Sequence, residues 1–257
     1  MGLFMKSKLL FRQLTGQELR NSVELVCKTE SIGGWTFSPL GLNRSSVVFS
    51  LGVADDIRFD LGIIDRCSCD VHAFDPTPRW IDWIKTQHTP PQFHFHPCAV
   101  GDSDGTIRMY PRMPKGKKSS TMLTLVDEGA GDGLAVDVAV KRISTIMSEL
   151  GIQQIDILKM DIEAAEYDVI EDLLNSGIRV YQLLVEFHHR FKTVPIEKSI
   201  SVIRKLQQAG YRIFHITEKY WEFSFIHEAT LMGYMNALPS TVPVDPENIP
   251  LPQPVVL

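Results

Sequence analysis

The chain has 257 residues, 44% of them hydrophobic and 22% charged, with a formal net charge of −5. That suffices for one sizeable core, and the acidic balance excludes a nucleic-acid partner held by phosphate neutralisation. No apolar window is long enough to span a membrane, and the four cysteines (Cys27, Cys67, Cys69, Cys98) lack zinc-ligand spacing, so they read as reduced thiols of a cytoplasmic protein.

Residues 1–45 read as a helical lead-in. Its start, "MGLFMKSKLLFRQLTGQELR", is an amphipathic helix pattern too broken by Lys6, Lys8 and Arg12 for a signal peptide. From Ser46 onward, short β-branched runs alternate with helical patterns. "SVVFSLGVA" predicts a strand and "DDIRFDLGIIDRC" its helix; "DVHAFDP" a second strand and "RWIDWIKTQ" a short helix; "FHFHPCAV" a third strand. Residues 101–140 carry turn signals at Asp104-Gly105 and Gly131-Asp132-Gly133 between alternating runs, which predicts an inserted β-hairpin region or lid. Its lysine cluster, Lys115, Lys117 and Lys118, reads as a solvated loop that could also touch an anionic substrate. "RISTIMSELG" is a helix closed by Gly151, "IDILKMD" the fourth strand, and "AEYDVIEDLLNSG" its helix, with Glu163 and Glu166 on one side of the first turn. "VYQLLVEFH" is the fifth strand, and "IEKSISVIRKLQQAGY" a helix with Ile200, Ile203 and Leu206 inward. "YRIFHITE" and "EFSFIHEAT" read as a closing antiparallel pair. Prolines make residues 238–257 an extended arm, which could cross to a neighbouring subunit and leaves a homo-oligomer open.

Strand–helix alternation with runs apolar on both faces predicts an α/β fold, a mostly parallel sheet covered by helices on both sides. Ligands of such sheets sit at the carboxyl ends of the strands. The first strand ends in "SLGVADD" (Ser50, Gly52, Val53, Asp55, Asp56), with one glycine where a dinucleotide fingerprint needs three. The two aspartates would repel a pyrophosphate, which points to a cofactor that is neutral or cationic near this loop. Asp75 follows Gly52 by about 20 residues, the spacing of a ribose-binding carboxylate, and Pro76 and Pro78 around Thr77 stiffen the turn that aims it. A plain Asp-Pro turn has the same look. Cys98, Ala99 and Val100 could leave a flat slot for an adenine ring.

The fourth strand hands over to its helix through "IDILKMDIEAAEYDVI". Alternation places Lys159 and Asp161 on one face. A buried Lys159 needs a carboxylate partner, and Glu163 or Glu186 is the expected one. Glu186 and His188 alternate onto one face of the fifth strand's end, beside Asp161 if the strands are neighbours. His188 or Asp161 would be the general base, while His189 and Arg190 read as a solvated strand exit. Asp161, Glu186 and His188 could instead hold a divalent metal.

Together these residues resemble the FkbM-type family of S-adenosylmethionine-dependent methyltransferases, over about Val47 to Glu228. Lys159, Asp161, Glu163, Ala165 and Glu166 fit the family's fourth-strand pattern. Ala164 stands where glycine is usual, Ser50 where aspartate is common, Ala54 where asparagine is and Asp56 where glycine is. The resemblance implies a class I methyltransferase, Rossmann-like fold over 46–237, with seven strands and the last antiparallel. It implies S-adenosyl-L-methionine as cofactor and a small-molecule acceptor, a hydroxyl on a sugar or metabolite. Rival readings are methylation of a peptide or acidic acceptor through the lysine-rich loop, a nucleotide-sugar or NAD enzyme, and a non-catalytic binding protein that uses the proline-rich arm.

Overall fold

The computed structural model describes residues 3–112, 123–124 and 132–237. The lysine cluster at Lys115, Lys117 and Lys118 and the arm 238–257 lie outside the described residues.

The lead-in is helical only over α1 (Leu3–Leu14). A short hairpin, β1 (Glu30–Ile32) and β2 (Trp35–Phe37), follows it. The alternation read from Ser46 is then present as β3 (Val47–Leu51), α2 (Arg58–Cys67), β4 (Asp70–Phe74), α3 (Pro78–Ile84) and β5 (Phe93–His96). After an inserted region come α4 (Ile143–Leu150), β10 (Ile155–Met160), α5 (Glu166–Asn175), β11 (Val180–Glu186), α6 (Ile196–Gln208), β12 (Tyr211–Ile216), β13 (Glu222–His227) and α7 (Glu228–Ala237).

The main sheet has seven strands in the order β12-β13-β11-β10-β3-β4-β5. From β5 through β11 neighbours run parallel, and β13 is antiparallel to both β11 and β12. This is the class I methyltransferase order, with one reversed strand inserted last. Every residue of β10 is buried, as expected of a central strand whose sequence is a continuous apolar run with only Asp156 and Lys159 charged. Side chains of α4, α5 and α6, among them Ile146, Tyr167, Leu173 and Leu206, form the core on one face. Phe59 and Ile63 of α2, Phe37 of the hairpin and Leu231 of α7 form the core on the other.

Three expectations need correction. "FHFHPCAV" is two strands: Pro97 follows β5, and β6 (Ala99–Gly101) leaves the main sheet to pair with β9 (Val136–Arg142). With β7 (Gly105–Pro111) and β8 (Leu123–Thr124) these make a separate four-stranded sheet, so the inserted hairpin is wider than the turn signals implied. On α6, Ile200 is 41% exposed, while Ser199, Val202, Ile203 and Leu206 face the core. Glu163 precedes α5 altogether. Among the described residues no helix is long and apolar enough to cross a membrane.

Candidate active site

A cleft opens at the carboxyl ends of β3, β4 and β10, roofed by the second sheet, with an empty volume of about 1040 Å³. At its floor Gly52 has φ +75°, and a Cβ there would lie 1.8 Å from the carbonyl oxygen of Asp161. The Gly52 N–H donates to Phe74 O (2.8 Å), and the Asp161 N–H donates to Leu51 O (3.0 Å). Glycine is required because three strand ends meet within backbone contact. Asp75 is buried, and its two oxygens accept the N–H groups of Ala54 and Thr77, both at 2.9 Å. Burial raises its pKa, and those two donors oppose the rise. The carboxylate thus ties the two loops together and keeps further acceptor directions on each oxygen.

Six of the expected cofactor residues line this cleft: Gly52, Asp75, Pro76, Thr77, Ala99 and Val100. Three do not. Ser50 is fully buried in β3. Val53 packs into the core beside α2. Asp55 is exposed and lines an outer depression with Arg58 and Trp83. The strand-to-helix turn keeps Ala54 in the cleft and bends away only after it, which sequence proximity could not reveal. Ile107 and Met109 of β7 and Asp102 of the turn between β6 and β7 also line the cleft and had no sequence signal.

Lys159 is not part of the carboxylate cluster. Its ammonium donates to Gly52 O (3.2 Å) and lies 4.9 Å from the centre of the Trp35 ring, away from Glu163 and Glu186. Its charge lowers the pKa of three aspartates around it, Asp56, Asp60 and Asp75; for Asp60, fully buried in α2, burial outweighs that pull and raises the value. The expected pairing with Glu163 or Glu186 is replaced by a backbone carbonyl and an aromatic face, neither of which a sequence pattern announces.

A second cavity, lined by Arg112, Asp161, Glu163, Glu186, His188, Arg190, Phe191 and Trp221, adjoins the first and shares Asp161 and Glu163 with it. Glu163 and Ala164, at φ +52° and +84°, turn the chain between β10 and α5. That turn carries Glu163 out of the helix and onto Arg112, which donates to it at 2.8 Å while lying over the Phe191 ring. Glu166 is fully buried: one oxygen accepts the Ala164 N–H (2.9 Å), the other accepts the His188 backbone N–H (2.9 Å) and faces His188 Nδ1 (3.2 Å). Read from sequence as a residue of the first helical turn and of the family pattern, Glu166 orients His188. The free Nε2 of His188 lies 3.6 Å from Asp161 and 4.0 Å from Glu163.

Donor atoms of Asp161, Glu186 and His188 lie within 4.8 Å of one another, so these expected residues do converge. Burial lowers the His188 pKa, but the hydrogen bond to Glu166 and the charges of Glu166, Glu163 and Asp161 outweigh it and raise the value to about 9. Burial, then repulsion from Asp161, raises Glu186 to about 7, against the pull of His188. His189 is no solvated exit residue: it is buried, with Nε2 2.5 Å from Glu18.

The methyltransferase FkbM domain matches residues 50–213. Over 184 residues the chain is 24% identical to the human probable methyltransferase-like protein 24, covering 67% of this chain and 43% of that protein. The rat protein of the same name is 25% identical over 179 residues, covering 65% and 42%. The chain therefore spans less than half the length of these curated relatives. Among solved structures, a Methanococcus jannaschii fibrillarin pre-rRNA processing protein aligns with a TM-score of 0.43 and 13% identity, covering 78% of this chain and 82% of that one.

Proposed function

The chain belongs to the FkbM methyltransferase family, and from that premise we propose that it transfers the methyl group of S-adenosyl-L-methionine to a hydroxyl, on a sugar or small metabolite. The observation that carries the reading is the pair of adjoining cavities that share Asp161 and Glu163. One has the character of a cofactor cleft and the other of an acceptor site, and only their shared wall separates them.

The cleft fits this cofactor by its donor set. Apolar side chains such as Phe74, Ile107 and Met109 suit a flat ring, and the buried Asp75 suits a ribose diol. Asp161 and Glu163 at the inner end suit a sulfonium cation and would repel a pyrophosphate. Gly52, Asp75, Thr77, Ala99 and Val100 would hold the cofactor. When bound, it supplies an electrophilic methyl group; the chain positions the acceptor and takes its proton. Glu186, with its pKa near neutrality, is suited to accept that proton, with Asp161 beside it. His188 keeps its own proton at neutral pH, so the expected role of His188 as base passes to the carboxylates. Its imidazolium, fixed by Glu166, offsets the negative charge that the carboxylates carry before the proton arrives. Among the described residues the cations of this wall are already matched, Arg112 by Glu163 and Arg190 by Glu18. That supports a neutral, hydroxyl-bearing acceptor at the described part of the wall.

Convergence of Asp161, Glu186 and His188 also favours a second reading, in which they hold a divalent cation that lowers the acceptor's pKa. Transfer that survives EDTA removes it.

Calorimetric titration with S-adenosylhomocysteine tests the main reading. The wild type should bind, and Asp75→Asn should lose tenfold or more in affinity. A folded wild type that does not bind overturns the proposal.

A further inference from the structure

The loop "FHHR" (Phe187 to Arg190) that leaves β11 is gripped from two sides by buried glutamates. From α5, Glu166 holds His188. From the other side Glu18, a lead-in residue far away in sequence, holds the next two residues. Its side chain is fully buried. One oxygen lies 2.5 Å from His189 Nε2, and the other accepts from Arg190 Nε (2.8 Å) and Nη2. Arg190 passes the grip onward: Nη2 donates to Lys219 O (2.6 Å), and its guanidinium carbon lies 5.0 Å from the centre of the Trp221 ring. Arg190 and Trp221 both line the acceptor cavity. Leu19, next to Glu18, is seated in the main core, so the segment is anchored as well as charged.

We propose that Glu18 is a positioning residue for the acceptor site: by clamping His189 and Arg190 it sets where Arg190 and Trp221 stand, so the site is completed by a segment outside the matched family domain. Burial raises the Glu18 pKa, yet His189 and Arg190 outweigh it and hold the carboxyl below its ordinary range, so the clamp is ionic at neutral pH. Removing one partner of such a buried set leaves the others uncompensated, and the loop must shift to reach water. Glu18 is absent from the cofactor cleft, so the effect is confined to the acceptor side. The clamp's geometry stands by itself; its role in acceptor binding rests on the functional reading above.

The test uses the full chain with Glu18→Gln, and Glu18→Asp as a milder variant should the first not fold. Hydrogen exchange of residues 187–191 and 219–221 should quicken at least tenfold, while affinity for S-adenosylhomocysteine changes less than threefold. Tryptophan emission should differ between wild type and variant, and that difference should vanish when both carry Trp221→Phe. Unchanged exchange in those segments, exchange quickened uniformly across the sheet, or an emission change that persists without Trp221 would each overturn the clamp. A wild type that fails to bind S-adenosylhomocysteine removes the methyltransferase reading instead, and exchange and emission still decide the clamp.

Discussion

The two rims of the cleft are built from different material. The cofactor rim is largely backbone: Gly52 sets a tight turn, and Ala54 and Thr77 turn their N–H groups onto the one buried carboxylate, Asp75. The acceptor rim is ionisable side chains: Asp161, Glu163, Glu186, His188, Arg112 and Arg190. A backbone rim is set by φ values and close approach, so it tolerates few substitutions. A charged rim tolerates shape changes better but depends on protonation and on partners brought from distant segments.

The largest effect should come from breaking the backbone rim at its tightest point. In Gly52→Ala the new Cβ meets the Asp161 carbonyl oxygen at 1.8 Å, at φ +75°. That neighbour is backbone and cannot swing aside. The variant should lose S-adenosylhomocysteine binding and about 2–4 kcal/mol of stability, read by calorimetry and urea denaturation on one preparation. Near-normal binding would show that the cofactor rim is not set by this contact.

On the charged rim, Glu186→Gln should leave cofactor affinity within a few-fold and lower methyl transfer by about 10²–10⁴. The pH profile sharpens the point. With its pKa raised to about 7, Glu186 holds a proton at lower pH, so the wild-type rate should climb as pH rises through 7 and then level off. Glu186→Gln should lose that inflection. A wild-type rate that climbs only near pH 9 would return the proton-accepting role to His188.

The two rims also differed in how far they could be read from sequence. Strand alternation, Gly52, Asp75 and the small residues Ala99 and Val100 are local signals, and local signals survive without a fold. Asp161, Glu186 and His188 were legible because period-2 alternation and adjacent parallel strands bring strand ends together. Arg112 and Glu18 were not, because their partners lie 51 and 171 residues away and no motif links them. Lys159 was placed on the right strand but given the wrong partner. Its ammonium turns instead to the Gly52 carbonyl and the Trp35 ring, and only packing brings that lead-in tryptophan onto the strand. Asp55 was misplaced for the opposite reason: nearness to Gly52 in sequence is undone by the turn between them.

A smaller effect concerns imidazoles that sit under the cofactor rim on β4 and β5. His72 Nδ1 and His96 Nε2 are 3.0 Å apart, and the His72 and His94 rings stack with centroids 4.8 Å apart. Burial, then repulsion from His96 and His94, lowers the His72 pKa to about 4. The unfolded chain takes up this proton near pH 6.5 and the folded chain only near 4, so the stabilisation is complete above pH 6.5 and is lost as pH falls between the two. Discounted for partial exposure, the loss should be about 1–2 kcal/mol. His72→Phe should flatten the acid limb of a stability profile from urea denaturation by that amount; an unchanged limb would assign acid sensitivity to other groups.

The smallest effect tests both rims at their departures from the family pattern. Ala54 and Ala164 stand where the pattern favours asparagine and glycine, and the structure gives them φ +46° and +84°. Asparagine and glycine are the residues that adopt left-handed backbone at least cost, so each alanine carries strain that the usual residue would not. Ala164 is the clearer case, because it shapes the turn that presents Glu163 to Arg112. Its backbone N–H donates to the Glu166 carboxylate, and that donor survives substitution. Against the relief of strain stand the greater freedom of glycine in the unfolded chain and the partial packing of the alanine methyl against the core. Ala164→Gly should therefore gain about 0.5–1 kcal/mol, with S-adenosylhomocysteine affinity unchanged, measured by urea denaturation. A loss of stability would mean that the methyl's packing outweighs the strain, and that the acceptor rim, like the cofactor rim, is held by close contact at its backbone turn.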